Sequence, residues 1–272
     1  MATLREIQLR LKSVSNIAKI TKSMKMIAAT KLTRAQKNME VARAYGESSN
    51  DVYTQADTAQ VMTTGEANKS ILITVSSDRG LCGGIHSSVS KATKRLAAAD
   101  RAGSKIVILG DKAKAQLQRE LRAEIQLSFN QIGKATPTFA EACAVADTIR
   151  AEGVEFDRAE MIYNQFRSVI AYEATQLPVY SVSVFKQSPK YAQYEVDEEV
   201  LDNYAEFTFA NALYWGLTEG HAAEMAAKRT AMENATKNAG EMIDKLTLTY
   251  NRGRQAVITN ELIDIITGAS AL

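Results

Sequence analysis

The 272 residues are 46% hydrophobic and 24% charged, and no apolar run reaches the roughly 18 residues that a membrane-spanning helix needs. Cys82 and Cys143 stand far apart outside any CxxC pair, and His86 and His221 have no neighbouring ligands at metal spacing, which argues against a disulfide framework and against a metal centre. The opening Met1-Ala2-Thr3-Leu4-Arg5-Glu6 lacks the apolar stretch of a secretory signal.

The net charge of +2 is unevenly spread. Residues 1–45 carry ten bases against two acids, Glu6 and Glu40, so the rest of the chain is slightly acidic. A basic segment of this kind predicts an acidic partner: nucleic acid, a membrane surface or a carboxylate-rich protein surface.

In chain order, residues 1–56 form a proline-free helical segment with apolar positions at Leu4, Ile7, Leu11, Val14, Ile17, Ile20, Met24, Ile27 and Ala28. Its consecutive three-residue steps between 11 and 20 predict a phase slip that overwinds a coiled coil locally. Residues 57–200 form a Rossmann-like α/β body. Strands are expected at Ser70–Ser76, Lys105–Leu109, Glu124–Phe129, Arg158–Gln165 and Val179–Val184. Helices are expected at Ser87–Ala99, Lys112–Arg119 and Thr138–Arg150, the last capped by Thr136 or Thr138. Alternation of this kind predicts a mostly parallel sheet covered by helices. A junction around Thr63-Thr64-Gly65 precedes the body, and a loop over 186–199 with acids at Glu195, Asp197, Glu198 and Glu199 follows it.

Residues 201–272 form the second long helical segment, which Gly216 and Gly220 could interrupt near its start. Its seam is read as Met232, Ala235, Ala239, Met242, Leu246, Thr249, Gly253, Ala256, Asn260 and Ile263, in alternating steps of three and four. Half of these are Ala, Gly or Thr, so a partner helix can come close. At ~1.5 Å per residue the two segments would reach roughly 80 and 100 Å, too long for a compact domain of this size to enclose. The fold expected is therefore a long antiparallel two-helix coiled coil, built from both chain ends, with an α/β body between them.

Three stretches could carry chemistry. Ser76-Ser77-Asp78-Arg79-Gly80-Leu81-Cys82-Gly83-Gly84-Ile85 is a glycine-rich turn where a doubly wound fold docks phosphates. It matches neither GxGxxG nor GxxxxGK[ST], so a tight strand–helix connection is the better reading. Lys19–Lys31 interleaves lysines with Ile20, Met24, Met26 and Ile27, which suits an apolar side on a helix and a basic side on an acidic protein better than it suits DNA. In Tyr250–Leu262, Gln255 and Thr259 share a helical face that Arg254 borders, a latch-like set, although an ordinary polar face would read the same way.

Taken together and in this order, the Ile17–Ala29 segment, the Ser77-Asp78-Arg79-Gly80-Leu81-Cys82-Gly83 turn and the Tyr250–Thr259 segment resemble the gamma subunits of F-type ATP synthases, in a mitochondrial-like form. The resemblance implies a coiled-coil shaft inside an α3β3 hexamer that couples proton-driven rotation of a membrane c-ring to ATP synthesis. It implies a non-catalytic subunit with no cofactor, at the matrix side of the mitochondrial inner membrane. Its partners would be the α and β subunits, the small central-stalk subunits (mitochondrial delta and epsilon) and the c-ring, with no nucleic acid and no direct small-molecule substrate. Carried over by position, Lys22, Met24 and Lys25 would face the β subunits, and Arg254, Gln255 and Thr259 would hold one catalytic subunit. The apolar tail Ile265–Leu272 would sit in a bearing, and Arg43, Tyr45, Tyr204 and Glu206 would lie at the foot, towards the ring.

Overall fold

A computed structural model describes residues 3–64, 69–99, 105–194 and 196–270. Gly65, Glu195, Ala271 and Leu272, named above, lie outside the described residues. The chain divides into two compact units, Met1–Ala28 with Arg229–Leu272, and Ala29–Lys228. Helix α1 covers Leu4–Gln55 and helix α7 covers Glu198–Ser270, so each contributes to both units.

In the first unit, α1 begins with a reciprocal cap. Thr3 N donates to Glu6 Oε2 (2.9 Å), and Glu6 N donates to Thr3 Oγ1 (3.3 Å). The two helices run antiparallel. Leu4 packs on Gly253, and Thr236 Oγ1 donates to Thr21 Oγ1 at 2.8 Å. Seventeen residues along α1 therefore answer seventeen back along α7. Lys25 Nζ meets Glu233 Oε1 at 2.7 Å, one turn further on.

Burial shows which side chains make the seam. On α1 Leu4, Ile7, Leu11, Val14, Ala18, Thr21, Lys25 and Ala28 are shielded in an unbroken alternation of three and four, with Ser15 and Met24 half-buried beside them. The expected phase slip does not occur. Ile17, Ile20 and Ile27 are 49–58% exposed, and the smaller Ala18 and Thr21 take the inward places. On α7 the inward positions are Met232, Ala235, Thr236, Ala239, Ile243, Leu246, Tyr250 and Gly253. Met232, Ala235, Ala239, Leu246 and Gly253 of the expected seam are shielded, whereas Met242, 43% exposed, and Thr249 give way to Ile243 and Tyr250. Beyond Gly253 the seam stops, because Leu4 is already at the start of the partner helix.

The second unit contains a five-stranded sheet in the order β3-β2-β1-β4-β5. The strands are β1 (Ser70–Val75), β2 (Lys105–Leu109), β3 (Ile125–Phe129), β4 (Arg158–Ser168) and β5 (Ala171–Tyr180). The first four run parallel and β5 pairs antiparallel with β4. Both faces are buried, as parallel sheets require. Leu72, Ile106, Ile108 and Ile162 face helices α3 (Ile85–Ala99) and α4 (Asp111–Leu117). Ile71, Ile73, Val107, Leu109 and Met161 belong to the larger core with α5 (Phe139–Ala151) and α7. Of the two expected caps for α5, Thr136 and Thr138, it is Thr138 that serves, through a capping box with Glu141.

One expected strand is corrected. Residues 179–184 straddle the end of β5 and a short helix α6 (Val182–Lys186), with α2 (Ala59–Thr64) the other short helix. Ser181 ends the strand by capping α6, its hydroxyl accepting from Val184 N at 3.4 Å. Most of β5 has no apolar run because it is an edge strand with one solvated side. Pro178, which lacks an N–H, is tolerated on such an edge.

The glycines of α7 do not break it. Gly216 lets Met161 Sδ approach to 2.6 Å from where a Cβ would stand, and Gly220 sits against Val75. On α1, a Cβ at Gly46 would lie 2.6 Å from the indole of Trp215. Gly46→Ala is expected to destabilise the fold by about 1–3 kcal/mol through overpacking, measured as a lowered urea midpoint with an unchanged denaturant slope.

Candidate functional site

Within the first unit, the carried-over residues fall into two groups. Lys22 is exposed, Met24 is half-buried, and Lys25 is tied to Glu233, whose carboxyl the pairing holds below its ordinary range. Exposed Ile17, Ile20, Met26 and Ile27 accompany them, so this stretch of α1 shows both charge and apolar surface to solvent. Arg254, Gln255 and Thr259 are exposed just past the last paired layer. The Thr259 hydroxyl donates back to Gln255 O at 2.9 Å, which ties the two residues of the shared face together. Further along, Val257, Ile258, Leu262, Ile263, Ile265 and Ile266 are 41–67% exposed. Contiguous exposed apolar side chains are the kind of surface that interaction sites present.

In the second unit, Arg43 and Glu219 form the central polar contact. Arg43 Nε and one terminal nitrogen donate to the two Glu219 carboxylate oxygens at 2.5 and 3.0 Å. The same guanidinium donates to Phe166 O (3.0 Å), while Glu219 also accepts from Phe166 N (2.9 Å) and Trp215 Nε1 (3.2 Å). Glu219 is fully buried and the Arg43 side chain is 29% exposed. Four donors on one carboxylate join α1, α7 and β4. Arg43 is thus directed into the protein.

Around it, Tyr45 is 60% exposed and meets Phe207 edge-on, with centroids 6.1 Å apart. The Tyr204 hydroxyl donates to Ser49 O at 2.7 Å, and burial raises its pKa above the ordinary tyrosine value. Glu206 pairs with Arg150 at the surface. Phe207 and Glu206 also border a groove of about 720 Å³ lined by Phe139, Phe156 and Tyr180.

The glycine-rich turn is occupied with holding the sheet together. Asp78 accepts from Asp111 N (2.8 Å) and Gln131 N (2.5 Å), tying three strand ends to one another. Arg79 donates to Gly133 O (3.3 Å) and Lys134 O (2.7 Å). Both ring nitrogens of His86 are engaged, with Ser76 Oγ at 2.9 Å and Arg79 O at 2.8 Å. Burial pushes the Cys82 thiol up to about 12, so it is not a nucleophile. Gly110 is needed where it stands: its φ is +100°, and a Cβ there would lie 2.6 Å from the Ser77 backbone.

In a doubly wound sheet the ligand crevice opens at the strand C-termini where the winding reverses, here between β1 and β4. That place is filled by α7. What remains is a pocket of about 20 Å³ between Ser76, Ser77, Asn164, Gly220, His221 and Glu224, room for a water molecule and not for a nucleotide.

Residues 3–272 match the family described as ATP synthase. Mitochondrial ATP synthase gamma subunits of Yarrowia lipolytica and Rattus norvegicus are each 46% identical to the whole of this chain, over 92% and 100% of their own length. The chain belongs to the ATP synthase gamma-subunit family. A chain of the Tetrahymena thermophila mitochondrial ATP synthase central stalk/c-ring structure is 28% identical, with a TM-score of 0.68 over 79% of this chain and 99% of that one. A chain of the Euglena gracilis mitochondrial ATP synthase matches in fold, with a TM-score of 0.80 over 98% of this chain and 94% of that one at 21% identity.

Against this gamma-subunit frame, two buried acids of α7 escaped the sequence reading, Glu219 and Glu224. The available signal was that, Tyr214 and His221 aside, Glu219 and Glu224 are the only ionisable residues between Glu206 and Lys228, with Trp215 one turn before Glu219. Arg43→Ala is expected to cost about 3–5 kcal/mol, because it leaves Glu219 charged and unpaired in the interior. Arg43→Met with Glu219→Leu is expected to cost less than Arg43→Ala alone. Urea unfolding of the three proteins checks the order.

Proposed function

We propose that this chain is the central rotary shaft of an F1Fo ATP synthase, working at the matrix side of the mitochondrial inner membrane. It couples proton-driven rotation of the c-ring to the conformational cycle of an α3β3 hexamer, in synthesis or hydrolysis of ATP. Family membership supports the assignment. The observation that carries the mechanism is the inequality of the two helices: a paired, basic stretch at Lys22 and Lys25, then a single apolar helix past Gly253.

A rod of two unlike helices has no three-fold symmetry, so three identical catalytic subunits around it each meet a different face. A contact shifts a subunit's conformational equilibrium only through its differential affinity for the two states. Turning the rod moves that bias from one subunit to the next, and nucleotide affinity follows by linkage. In this reading Lys22, Met24 and Lys25 face acidic segments of the β subunits. Arg254, Gln255 and Thr259 engage one catalytic subunit at a time. The tail from Ile265 runs in an apolar bearing.

The subunit itself is read as non-catalytic, because α7 fills the crevice where a nucleotide would sit. The small central-stalk subunits (mitochondrial delta and epsilon) and the c-ring are assigned to the second unit, with Tyr45, Tyr204 and Glu206 at the foot. Arg43 supports that foot from inside. Residues 1–56 and 201–272 are the coiled-coil segments of this scheme and 57–200 the body.

Changing Arg254 and Gln255 together to alanine is expected to lower proton-driven ATP synthesis about tenfold, the size of a coupling near 1.4 kcal/mol, while the complex still assembles. Synthesis by reconstituted vesicles measures the first, and the subunit composition of the purified complex the second. Unchanged synthesis would remove these residues from the coupling.

A further inference from the structure

The small pocket at the β1–β4 switch point is partly enclosed, with polar groups set among apolar ones such as Val75, Ile85 and Leu217, and the shaft reading gives it no task. Asn164 on β4 is 4% exposed and its amide orientation is fixed, since Nδ2 donates to Ile85 O at 3.1 Å. Its Oδ1 is left with no partner in the protein, and Asn164 lines the pocket. His221 on α7 is 8% exposed, lines the same pocket, and its Nδ1 also has no partner. Buried polar atoms without partners are rare in native proteins and call for an explanation.

We propose that this pocket is an internal water site, where one buried molecule bridges Asn164 Oδ1 and His221 Nδ1 beside the Glu224 carboxyl. The volume of about 20 Å³ admits one such molecule. Water donates to Asn164 Oδ1, and donates to or accepts from His221 Nδ1 according to tautomer. Ser76 and Ser77, which also line the pocket, complete the polar set. An anion is opposed by Glu224, and a cation by the neighbouring Arg79, Lys228 and Lys31. A neutral ligand with both donor and acceptor capacity fits all of these groups. The site is independent of the rotary reading.

Protonation at this site follows from the same burial. Glu224, 3% exposed, is surrounded by Ser77, Arg79 and Cys82 of the turn, by Gly133 of the β3–α5 loop, and by His221 and Lys228 of its own helix, with His86 of α3 lining the same pocket. Cys82 Sγ donates to its Oε1 at 3.7 Å. Burial raises the carboxyl to about 7, outweighing those hydrogen bonds and the two cations. Burial, aided by Lys31 and Arg79, lowers His221 to about 4, so the imidazole is neutral throughout the neutral range. A raised acid pKa means that the folded state binds the extra proton, so this contribution to stability is lost as pH rises through about 7. Between the unfolded histidine and carboxylate values, His221 works in the opposite direction and offsets further gain on acidification.

Two measurements on the assembled complex test the site. A density map that resolves ordered solvent is expected to show one peak within hydrogen-bond distance of both Asn164 Oδ1 and His221 Nδ1. A pocket without density, or the two atoms closed onto protein partners, overturns the proposal. The thermal midpoint of the complex is expected to fall from pH 6.5 to 8.5, and Glu224→Gln is expected to flatten that slope. An equal slope in the variant removes Glu224 from the site. If the variant does not assemble, the map of the unsubstituted complex still decides the water.

Discussion

A single buried carboxylate organises this protein. Glu219 accepts from Arg43, Phe166 and Trp215, and so joins α1, α7 and the β4 strand at one point. Taking a charge out of water costs several kcal/mol unless its lone pairs are satisfied, and here four donors satisfy them. A greasy contact could hold the same elements together and still let them slide. A bidentate arginine–carboxylate pair with two further donors fixes distance and rotation as well. That geometric definition, more than net stability, is what the pair supplies to the elements it joins.

Close packing continues what the clamp begins. Gly46 under Trp215, Gly216 against Met161 and Gly253 against Leu4 each remove a side chain where backbones must approach. The helix that occupies the switch-point crevice turns a ligand-binding architecture into a mount for α7. Asp78 and Arg79 of the glycine-rich turn, with His86 just after it, are used to fasten the strand ends around that mount. In the proposed role the work falls to the surfaces of the helices and not to the crevice.

Much of this is legible in the residues. The two long helices, the first four strands and a threonine cap at the start of α5 follow from pattern and spacing. The register between the helices does not. Hydrophobicity favours Ile17 and Ile20 for the seam, yet the structure turns them outward and buries Ala18 and Thr21. A constant step of 3.5 residues, set by the partner helix, overrides the local preference for large apolar groups. The same displacement moves the α7 seam from Met242 to Ile243. Exposed isoleucines are misleading in isolation, because a shaft needs apolar surface for partners as well as for its own core. The Arg43–Glu219 pair was hidden for a different reason: 176 residues separate its members, and no local pattern connects them.

The central claim is that the terminal helices are locked to each other and turn together. Cysteines placed at Ala18 and Ala239, which the Leu4–Gly253 and Thr21–Thr236 contacts set opposite one another, test it directly in the assembled enzyme. Mild oxidation is expected to join them in high yield, with ATP hydrolysis unchanged, since the bond would link two parts of one rotor. Failure to cross-link, or loss of turnover that reduction restores, would contradict the account.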